Sequence, residues 1–431
     1  MMQRHIVFAT AGSLGDLHPF LALGSEMRRR GYRVTVATNA AYETEVGNAF
    51  LNFHHMRPDP EDTPAFHARY MHPATGGEFV YRDYLAPAIQ ASYVDLLAIT
   101  QRADLLVSQT LMALAAPLVA AKTNIAWVSA VLQPMSFFSV HDRPNYLPRS
   151  LAWACARSPA LHARVLHYVK KHTMAWFAPV SKLRHELDIS DVRHPLYEGQ
   201  HSPRRVLAMF SPLMGTAQPD WPAGTVQTGC ALHTPETAAL PAALLAFVER
   251  DDTPLVIFTL SSASSNDAGD FYLQSFRAAT ALGMRALLIM GGLAKQSRLP
   301  EPLPTSVFRV DYVAFEKVFG YAAAIVHSGG SATSFKALQA GKPQIIVPHA
   351  HDQRDNAMRL QHLGVAAVIH RHRPGWKALR SAVNAVLNDQ AMIEKATAVA
   401  ARARAKDGVQ AACDAIEVVM ETAMKTEPLH G

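Results

Sequence analysis

Twice in this chain a short, mainly apolar run breaks off at a turn of small residues and resumes as a helix. The first is residues 5–11, followed by "GSLGD" and an expected helix over 19–30. The second is residues 323–326, followed by "HSGGSATS" at 327–334 and a helical stretch at 335–340. A strand that is apolar on both faces must be covered on both faces, which restricts it to parallel sheets sandwiched by helices. Further runs of this kind lie at 32–38, 104–109 and 125–130 in the first half, and at 255–260, 285–290, 307–312 and 344–348 in the second. The pattern predicts an α/β fold with two Rossmann-like, doubly wound parallel sheets.

A length of 431 residues accommodates two or three domains. The expected division is 1–215 for an N-terminal acceptor-binding domain, a linker over 216–240, and 241–390 for a C-terminal nucleotide-sugar-binding domain. Pro219, Pro222, Gly224 and Pro235 mark the linker. Residues 391–431 are expected to be helices that close the second domain or pack back on the first, and 136–200 to be helices decorating the first domain. Two such sheets would present their open strand ends to each other across a cleft, where ligands of α/β folds bind.

The net charge, 41 − 35 = +6, is mild and its basic residues are scattered, so nucleic acid is not an expected partner. Cys155, Cys230 and Cys413 are far apart, with no Cys-x-x-Cys pair, which argues against a disulfide framework or a metal site and fits a reducing compartment. The N-terminus runs straight into a strand, so no signal peptide is expected. No apolar stretch reaches about 18 residues, so no membrane span is expected either. The expected location is cytoplasmic. Phe137, Phe138, Trp153, Tyr168 and Trp176, with Arg149, Arg157, Lys170 and Lys171, also suit peripheral contact with the inner membrane. Ordinary helix packing with a solvated basic face explains the same residues.

A turn that opens a helix presents unpaired N–H groups and the positive end of the helix dipole, and so can hold an anion. Gly329 and Gly330 allow close approach of the backbone. Ser331, Thr333 and Ser334 could bond phosphate oxygens, and His327 could donate to one. A tight turn with a capping Thr and a satisfied histidine is the plainer reading. Residues 341–356, "GKPQIIVPHAHDQRDN", end a strand and present His349, His351, Asp352, Gln353 and Asn356. A carboxylate beside a carboxamide suits adjacent sugar hydroxyls, although a solvated, helix-capping loop has the same composition. A phosphate cradle next to a diol clamp is what a nucleotide-sugar requires.

At these residues the sequence resembles family 1 inverting glycosyltransferases, whose two-domain arrangement is called GT-B. The resemblance rests on H-x-G-G, the following Thr, G-x-P and D-Q between His327 and Asn356. It rests also on "AGSLGDLHPFLALGSEMRRRGYRVTVAT" near the N-terminus, similar to the G-S/T-x-G-D-x-x-P turn of bacterial members. "GDFY" at 269–272, "HSGG" and "HDQRDNAMRLQHLG" resemble the rhamnosyltransferase subunit of rhamnolipid synthesis.

The resemblance implies a hexosyltransferase whose donor site comprises Ser262, Tyr312, Val313, His327, Gly329, Gly330, Ser331, Thr333, Asp352 and Gln353. His327 and the turn amides would contact the pyrophosphate, Asp352 and Gln353 the sugar, and Tyr312 the base. Ser261 stands where a glycine is usual. Phe335 and Phe315 stand where many UDP-glucose enzymes carry ribose-binding Glu and Gln. A site without such partners tolerates a missing 2′-hydroxyl, so a dTDP-sugar, rhamnose first, is expected over a UDP-sugar. No cofactor or metal is implied. Asp16 is the implied catalytic base and His18 its rival, on the expectation that both lie on a loop and face the cleft. Alternatively Asp16 only caps the helix beginning at Pro19. The acceptor is expected to be a hydrophobic small molecule or lipid, such as a 3-hydroxy fatty acid, near Gly15, Phe66, Phe79 and Phe137.

Four other readings compete. A UDP-glucose-dependent enzyme acting on a sterol, polyketide or phenolic aglycone shares the same motifs. A nucleotide-sugar epimerase is disfavoured by Gly15-Asp16, and a dinucleotide dehydrogenase by the missing third glycine of G-x-G-x-x-G. A silent nucleotide-sugar-binding partner is disfavoured by intact Asp16, His327, Asp352 and Gln353.

Overall fold

The structure, a computed structural model, describes residues 3–233, 239–250, 253–291, 298–370 and 373–426. Pro235 of the expected linker and the side chain of Arg149 lie outside the described residues.

The chain divides into two compact units. The first comprises Met1–Asp62, Gly77–His233 and Asp407–Gly431. Its sheet has seven strands: β1 (His5–Ala9), β2 (Arg33–Thr38), β3 (Asn52–His55), β4 (Leu105–Gln109), β5 (Ala126–Val131), β6 (Arg205–Ala208) and β7 (Thr225–Gln227). They run in the order β3-β2-β1-β4-β5-β6-β7, every pair parallel. Strand β1 is buried at all five positions, as an apolar run in a doubly covered sheet must be.

The first helix, Leu14–Arg29, starts earlier than the sequence suggested. Ser13 is its N-cap, and Asp16 closes a capping box with it. Pro19 therefore lies inside the helix rather than at its first turn. It forgoes the bond its N–H would have made to the Gly15 carbonyl. The capping pair of Ser13 and Asp16, both upstream of Pro19, decides where the helix begins. The last helix, Gly408–Thr426, packs on this first helix. Cys413, Ile416 and Met420 join Phe8, Phe20, Leu23 and Met27 in one core. Arg30, where the first helix ends, is held by Glu26, Asp414 and Glu417.

The second unit comprises Thr63–Gly76 and Thr234–Lys406. Its six strands are β8 (Leu255–Thr259), β9 (Arg285–Ile289), β10 (Val307–Val310), β11 (Ala324–His327), β12 (Gln344–Ile346) and β13 (Ala366–Val368). They form a parallel sheet in the order β10-β9-β8-β11-β12-β13. Helices cover both faces, packing two apolar clusters against the sheet. The helix Gln390–Arg404 belongs here and packs on the helix Ser331–Ala340.

The structure refines the expected boundaries at three places. Residues 216–240 are not a bare connector, since β7 within them forms the edge of the first sheet. The helices after residue 390 divide between the units. The short segment Thr63–Gly76 groups with the second unit although the chain on either side of it belongs to the first.

Candidate active-site residues

In the first unit the site is built where β1 and β4 end side by side. Ala9 pairs with Ser108 across these strands, so Thr10 and Gln109 follow as neighbours. The Thr10 hydroxyl donates to Gln109 Oε1 at 2.5 Å, which turns the Gln109 amide nitrogen toward Asp16. Gln109 Nε2 donates to Asp16 Oδ1 at 2.7 Å. The other carboxylate oxygen accepts from Ser13 N at 2.8 Å and from Ser13 Oγ at 3.0 Å. Burial raises the Asp16 pKa, and the bonds from Ser13 and Gln109 oppose that rise. Gly12 makes the arrangement possible. Its φ is +108°, and a Cβ there would lie 2.5 Å from Asp16 Oδ2. Tyr42 closes the turn by donating to the Gly12 carbonyl at 2.9 Å.

Asp16 thus caps the helix and is also a half-buried, oriented carboxylate. His18 does not share its position. Both residues lie on the first helix rather than on a loop, and residues two apart on a helix point to different sides. The His18 ring instead lies 5.3 Å from that of His233, tilted by 39°. Gly15 is exposed beside Asp16 in the first turn.

In the second unit the corresponding turn follows β11. His327 is fully buried, and both its ring nitrogens are engaged. Nδ1 accepts from Gly329 N at 3.0 Å, and Nε2 lies 2.8 Å from Gln344 Oε1, to which it donates. Burial lowers its pKa to about 4, so the ring is neutral near pH 7. The expected donation from His327 to a phosphate is therefore corrected. The ring has no proton to spare and serves to fix the Gly329 turn. Gly329 has φ +90°, and a Cβ on it would meet Ile346 Cγ2 at 2.9 Å and the Gln353 carbonyl at 3.0 Å.

The helix Ser331–Ala340 then begins at Gly330 with no side-chain cap. No side chain therefore caps its first-turn N–H groups, and no Thr caps the turn. Thr333 is buried within the first turn. Ser331 Oγ donates to Asp352 Oδ2 at 3.1 Å, and Asn356 Nδ2 donates to the same oxygen at 2.7 Å. Asn356 Nδ2 also reaches the Gly329 carbonyl at 3.0 Å, which joins the two loops.

Gln353 departs from its expected role. Its Oε1 accepts from His349 N at 2.8 Å, and its Nε2 donates to Ser264 Oγ at 2.8 Å and Ser261 Oγ at 3.2 Å. The side chain is buried and committed to the protein, so it cannot also grip a sugar. Asp352 is the half-exposed member of the pair. Ser261, the unusual residue at its turn, earns its place by accepting from Gln353 and by its N–H bond to Ser328 Oγ at 2.9 Å. Ser262 is half-exposed at the start of the helix Ser262–Ser265. Tyr312 is 63% exposed, with buried Val313 beside it. Phe335 is buried, and Phe315 stacks on Phe319 with centroids 4.6 Å apart.

The expected acceptor aromatics are divided between the two units. Phe66 packs near Tyr70 in the second unit, and Tyr70 lies 5.1 Å from the ring of His351, one residue before Asp352. Phe79 is buried in the first unit. Phe137 is spent on packing, stacked 4.2 Å from Trp221 and 5.6 Å from His201. Gln109, Ser13 and Gln344 were missed in the sequence. The only trace of Gln109 was a polar residue closing an apolar strand.

Two family models match this chain. Residues 286–418 match the C-terminal domain of erythromycin biosynthesis protein CIII-like proteins, and residues 6–80 match the glycosyltransferase family 28 N-terminal domain. The two parallel sheets, together with the solved structures named below, show the GT-B fold. The chain is 28% identical to the O-mycaminosyltylonolide 6-deoxyallosyltransferase of Streptomyces fradiae, covering 97% of this chain and 98% of that one. It is 25% identical to the sterol 3-beta-glucosyltransferase of Leptosphaeria maculans over 99% of its own length, but spans only 29% of that relative. Among solved structures, the glycotransferase of kitacinnamycin has a TM-score of 0.71 at 21% identity, covering 97% of this chain and all of the other. The spinosyn rhamnosyltransferase SpnG complexed with thymidine diphosphate has a TM-score of 0.68 at 18% identity, covering 96% and all of the two chains.

Proposed function

We propose that this chain is an inverting hexosyltransferase that moves a deoxysugar, rhamnose first, from a dTDP-sugar to a hydroxyl of a hydrophobic acceptor. The observation that carries the reading is Asp16, a carboxylate oriented on both oxygens whose pKa burial has raised toward that of a useful base. In this reading Asp16 takes the proton of the acceptor hydroxyl as that oxygen attacks the anomeric carbon. The new glycosidic bond forms on the face opposite the breaking bond to the diphosphate, which inverts the centre. The second unit holds the donor. The uncapped first turn at Gly330 receives the diphosphate and stabilises its growing charge without a metal, Asp352 holds sugar hydroxyls, and exposed Tyr312 stacks on the base. His327 and Gln353 act only by holding that turn in shape.

Apolar Phe335 and Phe315 support a deoxyribose donor, because neither offers a partner to a 2′-hydroxyl. The acceptor class includes macrolide-like lactones, sterols and 3-hydroxy-acyl lipids. A second reading, a UDP-glucose-dependent sterol glucosyltransferase, is favoured by the 25% identity to the Leptosphaeria maculans enzyme over nearly all of this chain. The test is nucleotide release by the purified protein with dTDP-rhamnose, dTDP-glucose and UDP-glucose, each offered with a 3-hydroxy fatty acid ester, a macrolactone and a sterol. Release of dTDP only in the presence of an acceptor supports the first reading. Preference for UDP-glucose with the sterol replaces it by the second. No release with any pair, together with tight nucleotide binding by calorimetry, overturns both in favour of a silent binding partner.

A further inference from the structure

Residues 143–185 contain eight Arg and Lys and not one Asp or Glu. With 35 acids in 431 residues, a window of 43 would hold three or four. Several of these cations are used internally: Lys170 pairs with Glu198, Lys182 lies 3.7 Å from Glu186, and Arg184 is buried with its Nη1 on the Arg193 carbonyl. The rest of the described ones are displayed.

The helices Arg149–Cys155 and Pro159–Thr173 carry the display. The outward positions Arg157, Leu161, Arg164, Tyr168 and Lys171 recur every three or four residues, so they form one stripe along the second helix and the turn before it. Trp153 and Tyr168 are each 62% exposed and Leu161 is 36% exposed, among the few large apolar side chains left in water. The Arg157 guanidinium lies 3.9 Å from the centre of the Trp153 ring, and the Tyr168 ring lies 3.9 Å from that of His172. The opposite face holds the stripe in place: His162, Leu166 and Thr173 are buried, and His162 Nε2 meets Tyr146 Oη at 2.8 Å.

A face that alternates cations with amphipathic rings, and to which residues 143–185 contribute no acid, matches the surface of an anionic bilayer. Lys and Arg find lipid phosphates there, while Trp and Tyr settle at headgroup depth. Among the described residues no helix is long and apolar enough to cross a membrane, so this contact is one of lying on the surface. We propose that the Trp153–Lys171 face docks this protein on anionic lipid membranes. The inference does not depend on the transfer reaction, because binding is read without turnover.

The experiment is flotation of the full-length protein with vesicles of phosphatidylcholine alone or of phosphatidylcholine mixed with phosphatidylglycerol, at low and high salt. Binding is expected only to the mixed vesicles, and it should weaken as salt rises. The triple variant Arg157→Gln, Arg164→Gln, Lys171→Gln should bind roughly a hundredfold more weakly, at about fivefold per cation. The double variant Trp153→Ser, Tyr168→Ser should also bind more weakly, but keep the salt dependence of what remains. Unchanged melting temperatures establish that both variants fold. Several outcomes would overturn the proposal: no flotation of the unaltered protein, undiminished flotation of the triple variant, or tighter retention on an RNA homopolymer than on the mixed vesicles.

Discussion

Gln109 Nε2 stands 2.7 Å from Asp16 Oδ1 and is turned there by Thr10, so a carboxamide on β4 orients the carboxylate proposed as the base on the first helix. Because burial raises the Asp16 pKa and this bond lowers it, removing the bond should raise it further. A base works only when deprotonated. Gln109→Leu should therefore move the acid limb of the kcat/KM profile to higher pH and cut activity at neutral pH about tenfold, by analogy with other positioned acid–base groups. A pH–rate profile of the two proteins measures it. An unmoved limb with lower activity would mean that Gln109 is only structural.

Asp16→Asn should reduce turnover by roughly 10²–10⁴-fold while leaving nucleotide binding by the second unit unchanged. Calorimetry beside a turnover assay separates the two effects. Comparable turnover by the variant would return Asp16 to the role of a helix cap.

At Gly329 both the φ of +90° and the crowding by Ile346 and the Gln353 carbonyl oppose any side chain. Gly329→Ala should cost roughly 1–3 kcal/mol of stability and weaken nucleotide binding more than Gly320→Ala, whose added methyl meets nothing within 4 Å. Denaturant melts and nucleotide titration of the two variants give the comparison.

Acid should destabilise the protein through His327. Its folded pKa is about 4 against an ordinary 6.5, so between those values the unfolded chain takes up a proton that the folded chain refuses. Stability is full above about pH 6.5, falls as pH drops toward 4, and loses on the order of 3 kcal/mol in all. His194 and His201, also lowered to about 4, add to the same slope. His327→Asn keeps an acceptor for the Gly329 N–H but cannot titrate, so its stability should fall less steeply across that window in melts at a series of pH values.

Ile416 is wholly buried in the last helix and shares a core with Phe8 and Phe20. Ile416→Ala should cost about 2–5 kcal/mol, as large an effect as a substitution at the centre of the first sheet. A denaturation midpoint shift measures it.

The parallel sheets were legible because a strand covered on both faces needs a mainly apolar run, and β1, β4, β8 and β11 are such runs. The strands β3, β7 and β13, three or four residues long and half-exposed or more at most positions, carry too little pattern to be read. The site positions were legible as turns. The work of each side chain was not, because composition names a group without saying which atoms it faces. His327 and Gln353 look like ligand-binding residues and are spent on the turn, whereas Gln109 looked like nothing and holds Asp16. The allegiance of Thr63–Gly76 was hidden for the same reason, since it is expressed by contacts such as Tyr70 on His351, about 280 residues apart.

The place of the last helix in the first core bears on how this protein is made. A ribosome completes all seven strands of the first sheet and then the whole second unit before the residues around Ile416 emerge. Until then the first helix keeps an apolar stripe in water, where it can attract a chaperone or another nascent chain. A message cut short before the codon for Gly408 would leave a product with both sheets but an uncovered flank, so translation of Gly408–Thr426 acts as a checkpoint on everything synthesised before it.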